Sequence, residues 1–146
     1  MNKTELQIVS SLNQNARQSY REIARETGLS VTAVIKTIKR LEKNGVIKGY
    51  IPLLNPEYFG FSLMAVINLR ISQGKLLETQ KKIALDRRVM AVFDVTGDWD
   101  SVLIGCFANR EDLNQFVKKV LSLKYIDRTD THLVLNVVKN EPRLPL

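Results

Sequence analysis

The chain has 146 residues, 45% of them hydrophobic, and carries 22 Lys or Arg against 15 Asp or Glu, a formal net charge of +7. That length holds one ordinary core, or a small domain beside a medium one. No apolar run approaches the roughly twenty residues of a membrane span, the opening Asn2-Lys3-Thr4-Glu5 is unlike a signal peptide, and a single Cys with a single His excludes an intrachain disulfide or a Cys/His metal set, so a cytoplasmic chain without membrane or metal is expected.

In chain order, Thr4 is placed to cap a first helix whose apolar stripe is Leu6, Ile8, Val9 and Leu12. Ser19 caps a second helix, with Glu22 three residues on to reach back to the Ser19 amide. Gly28-Leu29-Ser30 closes that helix and caps a third, which ends at Asn44-Gly45. At about 100° per residue, Thr32, Lys36, Lys39 and Lys43 fall on one side of the third helix, while Val34, Ile38 and Leu41 fall nearly opposite. One side has a core to join, and the other suits a polyanion. A basic face on an amphipathic helix is also what a merely wet face looks like. The distribution of charge separates the two readings: residues 1–52 hold nine Lys or Arg against four Asp or Glu, the remainder thirteen against eleven. Cations that neutralise phosphates release counterions, and that release supplies most of the affinity for DNA, so a local excess of this sign points to duplex DNA.

Val46 to Ile51 is short, β-branched and aromatic, and is predicted to be a strand, which makes residues 1–51 a winged-type helix-turn-helix module. Pro52, Asn55, Pro56 and Gly60 break regular structure, placing a linker at 52–61. Residues 62–146 alternate in period. Strands are predicted at 62–71, 89–95, 101–107 and 131–138, and helices at 75–85 and 110–123, the second starting at Asn109 with Asp112 three residues on. Thr96-Gly97-Asp98 is a turn signal that joins the middle strands as a hairpin. The order βαββαβ is that of a ferredoxin-like sandwich, and the fold class is α+β. Ile67, Leu69 and Ile71 alternate with Val66, Asn68 and Arg70, and Leu133, Leu135 and Val137 with Val134 and Val138. A sheet apolar on both faces needs a second chain against it, so a homodimer is expected, which would also pair two recognition helices on DNA. Cys106 lies in an apolar run and is read as a small core residue.

Arg17, Glu22-Ile23-Ala24, Gly28-Leu29-Ser30, Arg40-Leu41-Glu42, Gly45-Val46-Ile47 and Gly49-Tyr50, followed by Thr96-Gly97-Asp98-Trp99-Asp100 and Thr129-Asp130-Thr131, resemble the Lrp/AsnC family of feast/famine transcription factors. The resemblance covers almost the whole chain. It implies a transcriptional regulator rather than an enzyme, dimeric and often octameric, whose C-terminal domain binds a small effector, usually an amino acid, at a contact between dimers. The walls of that site correspond here to Gly97, Asp98, Trp99, Asp100, Thr129, Asp130 and Thr131. Asp98, Asp100 or Asp130 suits an ammonium group, and turn amides and Thr hydroxyls suit a carboxylate. Alternatively, Gly97 only makes the hairpin and the acids are solvated. No cofactor is expected beyond an amino-acid effector, for example a neutral or amide amino acid.

On this reading Ser30, Thr32, Lys36, Lys39 and Arg40 enter or line the major groove, and Arg17, Tyr20, Arg21, Lys43 and Lys48 grip phosphates nearby. Several positions depart from the family pattern. Thr37 stands where Arg is common, Asn2 and Glu5 replace an Asp-rich opening, and Trp99 stands where Tyr is frequent, which would narrow an adjacent pocket. Two rival functions remain at this level. One is a siroheme-decarboxylase-like enzyme, for which His132 is the only histidine; the other is an effector-independent protein that compacts DNA.

Overall fold

The structure is a computed structural model that describes residues 2–72 and 74–146. Two compact units divide the chain: Met1–Leu53 together with Lys139–Leu146, and Leu54–Val138. The sequence pattern extends the second domain to residue 146, whereas the last eight residues group with the first unit; there the Asn13 side-chain amide donates to the Leu144 carbonyl at 2.7 Å.

Three helices build the first unit: α1 Lys3–Gln14, α2 Tyr20–Thr27 and α3 Val31–Lys43. Ser19 and Glu22 form the expected reciprocal cap on α2, and Ser30 accepts from the Ala33 amide at the start of α3. The cap of α1 is Asn2 rather than Thr4: its side chain accepts from the Glu5 amide at 2.8 Å, and Glu5 accepts from the Asn2 amide at 2.7 Å. Asn caps at least as well as Thr, and the Asn2–Glu5 pair makes both bonds of a capping box, starting the helix at Lys3. Ile8, Ile23, Ala24, Val34 and Ile38 form the core, with Leu12, Leu29 and Ile47 packed against it.

The predicted strand at 46–51 does not form. Val46 and Ile47 instead donate to the Leu41 carbonyl, wrapping the end of α3, and among the described residues no neighbouring strand pairs with this segment. β propensity gives a strand only where another backbone completes the ladder. Within 52–61, Pro56–Phe59 forms one 3-10 turn capped by Asn55.

The second unit has β1 Leu63–Ile71, α4 Leu76–Ala84, β2 Val89–Asp94, β3 Ser101–Phe107, α5 Arg110–Leu121 and β4 Ile126–Leu133. The sheet is antiparallel throughout in the order β2-β3-β1-β4, the ferredoxin-like arrangement. Ala65, Ile67, Leu69 and Ile71 of β1 meet Leu103, Phe107, Ile83, Leu113, Phe116, Val120 and Ile126 in one core under the two helices. On the opposite face, among the described residues, no element of this unit covers Met64, Val66, Val102 and Ile104, which are half-buried, or Phe93, which is exposed.

β4 lies five residues earlier than the 131–138 expected from its apolar pattern. The Ser72 amide donates to the Tyr125 carbonyl, Ile126 enters the core directly after α5, and the ladder runs from Ile71↔Ile126 to Ala65↔Leu133. β1 begins at Leu63, so past Val134, whose amide reaches the Met64 carbonyl, nothing is left to pair with. Leu135 and Val138 are consequently 93% and 92% exposed, outside the sheet. They do not form the second apolar face expected of them; β1, β2 and β3 supply it.

Candidate nucleic-acid and ligand sites

On α3 the two sides separate as the periodicity requires: Val34, Ile38 and Leu41 are buried, while Thr32, Lys36, Lys39 and Lys43 are exposed. Arg17, Tyr20, Arg21 and Lys48 are exposed as well. Among the described residues none of Arg17, Arg21, Lys36, Lys39, Lys43 and Lys48 has an acidic partner. Ser30 is exposed, but its Oγ already accepts from the Ala33 amide at 3.2 Å as the cap of α3, so the hydroxyl proton and one lone pair remain for DNA.

Arg40 differs from the other cations. Its Nη2 donates to Glu5 Oε1 at 2.6 Å, joining α1 to α3. Glu5 thereby uses one oxygen for the Asn2 amide and the other for Arg40, and the Asn2 amide and then the Arg40 charge hold its carboxyl below the usual range. Ala33, Lys36, Thr37 and Arg40 line a shallow hollow on α3, and Thr37, where the resemblance led one to look for Arg, leaves that hollow open. The link between Glu5 and Arg40 spans 35 positions, so no local sequence signal marks it.

In the second unit, Gly97 takes φ +111° in the β2–β3 turn, a conformation that L side chains rarely adopt. The turn closes with the Val95 amide on the Asp100 carbonyl. Asp100 is held inward: its Oδ2 accepts from the Ile71 amide at 2.8 Å, and its own amide donates to the Leu69 carbonyl. β3 starts at Ser101 opposite Leu69, so the Asp100 carboxylate extends the ladder one step beyond the last backbone pair. Buried Gln80 on α4 donates to Ser101 Oγ, which donates to the Phe93 carbonyl, fixing the base of the turn.

Thr129, Asp130 and Thr131 lie inside β4, not ahead of it. Thr129 pairs with Leu69 and Thr131 with Ile67, both core-facing, while Asp130 pairs with Asn68 on the open face. Alternation along a strand therefore directs the two threonines and Asp130 to opposite sides. The turn and β4 flank β1 from its two edges at the same end of the sheet. Two residues that sequence reasoning passed over join them. Arg70 Nη1 donates to the Asp98 carbonyl with its Nε 3.8 Å from Asp100 Oδ2, and the Arg128 guanidinium carbon sits over the Trp99 ring, 4.4 Å from its centroid. Only a charge at a strand position facing away from the core could have marked them. His132 is exposed, with Nε2 3.0 Å from Asp130 Oδ2. Cys106 is buried, as expected, and burial pushes its thiol pKa up. Among the described residues, no helix is long and apolar enough to cross a membrane.

Comparison with known proteins agrees with this architecture. Residues 1–48 match the winged helix-turn-helix DNA-binding family, and residues 64–144 match the Lrp/AsnC ligand binding domain. An HTH-type transcriptional regulator of Pyrococcus abyssi is 43% identical over 144 residues, 99% of this chain and 98% of the relative. The HTH-type transcriptional regulator FL11 of Pyrococcus furiosus is 34% identical, covering 95% of this chain and 92% of the relative. Among solved structures, a transcriptional regulator of Neisseria meningitidis in complex with L-Met superposes with a TM-score of 0.90 at 26% identity, over 99% of this chain and 96% of the other. Escherichia coli AsnC, at 19% identity, shares the fold with a TM-score of 0.86 over 96% and 95%.

Proposed function

Because the chain belongs to the Lrp/AsnC family of transcriptional regulators, we propose that it reads operator DNA sequence-specifically through α3 and that a small amino acid bound to the second unit modulates its DNA binding or assembly. The observation that carries the first half is the row Thr32, Lys36, Lys39 and Lys43, exposed and free of acidic partners among the described residues, directly behind a buried apolar stripe. Unpaired cations on a rigid helix can exchange their hydration and counterions for phosphates without first breaking an internal ion pair. Ser30 and Thr32 at the helix N-terminus add hydroxyls where the dipole favours anions.

Two substitutions test this half by titrating operator and unrelated duplexes over a range of salt. Lys43→Ala should weaken all sequences alike and reduce the salt slope by about one. Lys36→Ala should blur the consensus at one position. Wild-type binding by both variants at moderate salt would remove α3 as the reader.

The second half rests on the match to a ligand binding domain and on the corner built by Gly97, Asp98, Trp99, Asp100 and β4; L-Met is bound by the Neisseria regulator and suggests the ligand class. A ligand shifts DNA binding only through different affinity for two states. The uncovered apolar face of the sheet supplies an interface for a second copy, so dimers, and octamers built from them, are the states we assign. Light scattering during amino-acid titration checks this, and a single unchanging oligomer at every concentration would remove the assembly mechanism. Location in the cytoplasm, with the DNA, follows from the same reading.

A further inference from the structure

β4 sets Arg128 directly opposite Arg70 on β1. Two cations as cross-strand neighbours repel, so each needs a compensating group. Arg70 has one in the Asp98 carbonyl and the nearby Asp100 carboxylate. Arg128 has neither a hydrogen bond nor an ion pair among the described residues; its defined contact is the indole of Trp99. Indole is the strongest of the aromatic platforms for a guanidinium. Held over the ring with its carbon 4.4 Å from the centroid, and with no N–H spent on a protein acceptor among the described residues, this guanidinium keeps a fork suited to two parallel bonds to one carboxylate. Of the neighbouring acids, Asp100 and Asp130 each have one oxygen engaged, Oδ2 by the Ile71 amide and Oδ2 by His132, and among the described residues no acid pairs with Arg128.

We infer that Arg128, laid on Trp99, is the anchor for the carboxylate of the small ligand bound by the second unit. This rests on the reading that the unit binds an amino acid, and it adds to that site a residue outside 97–100 and 129–131. Trp99 is then the platform for the anchor rather than a wall that narrows a pocket. Asp98, exposed on the adjoining turn, is left for the ligand's ammonium group.

Trp99 is the chain's only tryptophan, so its emission reports on this corner directly. The full chain is titrated with each of the twenty common L-amino acids at millimolar concentration, and every amino acid that binds is retitrated as its α-carboxamide, which lacks the negative charge. The carboxamide should bind at least about tenfold more weakly, and Arg128→Gln should weaken the free amino acid by a similar factor. Arg128→Lys should recover part of the loss, because charge returns without the fork. The carboxamide comparison uses the unaltered protein and holds even if a variant fails to fold. Equal binding of acid and carboxamide, or wild-type affinity in Arg128→Gln, overturns the anchor while leaving an amino-acid site in place. Unchanged affinity with a smaller assembly in light scattering also overturns it, and assigns the guanidinium to a contact between copies. Silence toward all twenty amino acids, by Trp99 emission and by calorimetry, overturns the amino-acid reading and the anchor with it.

Discussion

In the first unit, Arg17, Arg21, Lys36, Lys39, Lys43 and Lys48 stand without acidic partners among the described residues, whereas in the second Arg88, Lys119, Lys75, Lys82 and Arg70 all meet carboxylates. Arg88 is the clearest case: it bridges Asp86 at 2.8 Å and Asp112 at 2.7 Å, lies over the Phe116 ring, and ties the start of β2 to α5. The cations matched in the second unit tie its elements together, and those left hydrated on the first are the ones the proposed reading assigns to DNA. Lys81, Arg87, Arg110, Lys118 and Lys124 of the second unit are exposed and, among the described residues, also without an acidic partner. Two cations stand apart by their contacts: Arg40 in the first unit is tied to Glu5, and Arg128 in the second lies over Trp99.

The contrast can be broken most sharply by opposing two residues of the same helix. Ile38→Ala removes a buried side chain from the first core and should destabilise by about 3 kcal/mol in urea unfolding. Lys36→Ala, two positions earlier and exposed, should leave the unfolding midpoint unchanged. Equal destabilisation by both would make the basic row a structural feature and not a binding one.

A close approach in the second unit gives the next effect. Gly105 pairs with Ala65 inside the sheet, and a Cβ there would lie 2.8 Å from the Phe107 ring and 3.1 Å from the Arg88 carbonyl. Because Phe107 is fully buried against Phe116, the ring has nowhere to move, and Gly105→Ala should cost about 2 kcal/mol. A thermal midpoint like that of the wild type would show that this core yields more readily than its packing implies.

Acid should probe the matched cations of the second unit. Hydrogen bonds from the Arg88 side chain, then Lys119, hold the Asp86 carboxyl far below its ordinary value; the Ala108 amide, then Arg88, hold Asp112 low. A depressed folded-state value gives stability that is complete above the unfolded value, about pH 4, and is lost as pH falls below it. The second unit should therefore weaken progressively below about pH 4. Arg88→Gln should cost about 2 kcal/mol at neutral pH and flatten the acid limb. An unaltered acid limb in Arg88→Gln would mean that other carboxylates govern acid unfolding.

The smallest effect sharpens the comparison at Arg40. Glu5→Gln keeps a residue able to return the Asn2 cap bond but removes the charge opposite Arg40. Binding to non-specific duplex should strengthen modestly, with a salt slope steeper by up to about one. An unchanged slope would place Arg40 outside the phosphate-contacting set.

How much was legible follows from where each bond is made. Ser19–Glu22, Asn109–Asp112 and the stripe Val34, Ile38, Leu41 are separated by three or four residues, so capping and period were readable, and α2, α3 and α5 begin where they were expected. The Asn2–Glu5 cap was equally local but was passed over in favour of Thr4. β4 was misplaced because Leu133 to Val138 is the more apolar stretch, while the end of β1 decides where pairing stops. The segment 46–51 has the composition of a strand without a backbone beside it.

Composition, period and cap spacing by themselves determined the helix-turn-helix, its basic face and the βαββαβ order, because all of these depend on neighbours within one or two turns of chain. Tertiary structure alone decided the register of β4, the tie between Glu5 and Arg40, and the meeting of Arg128 with Trp99. Each of these joins groups about thirty or more positions apart, and only the folded chain brings such groups within reach.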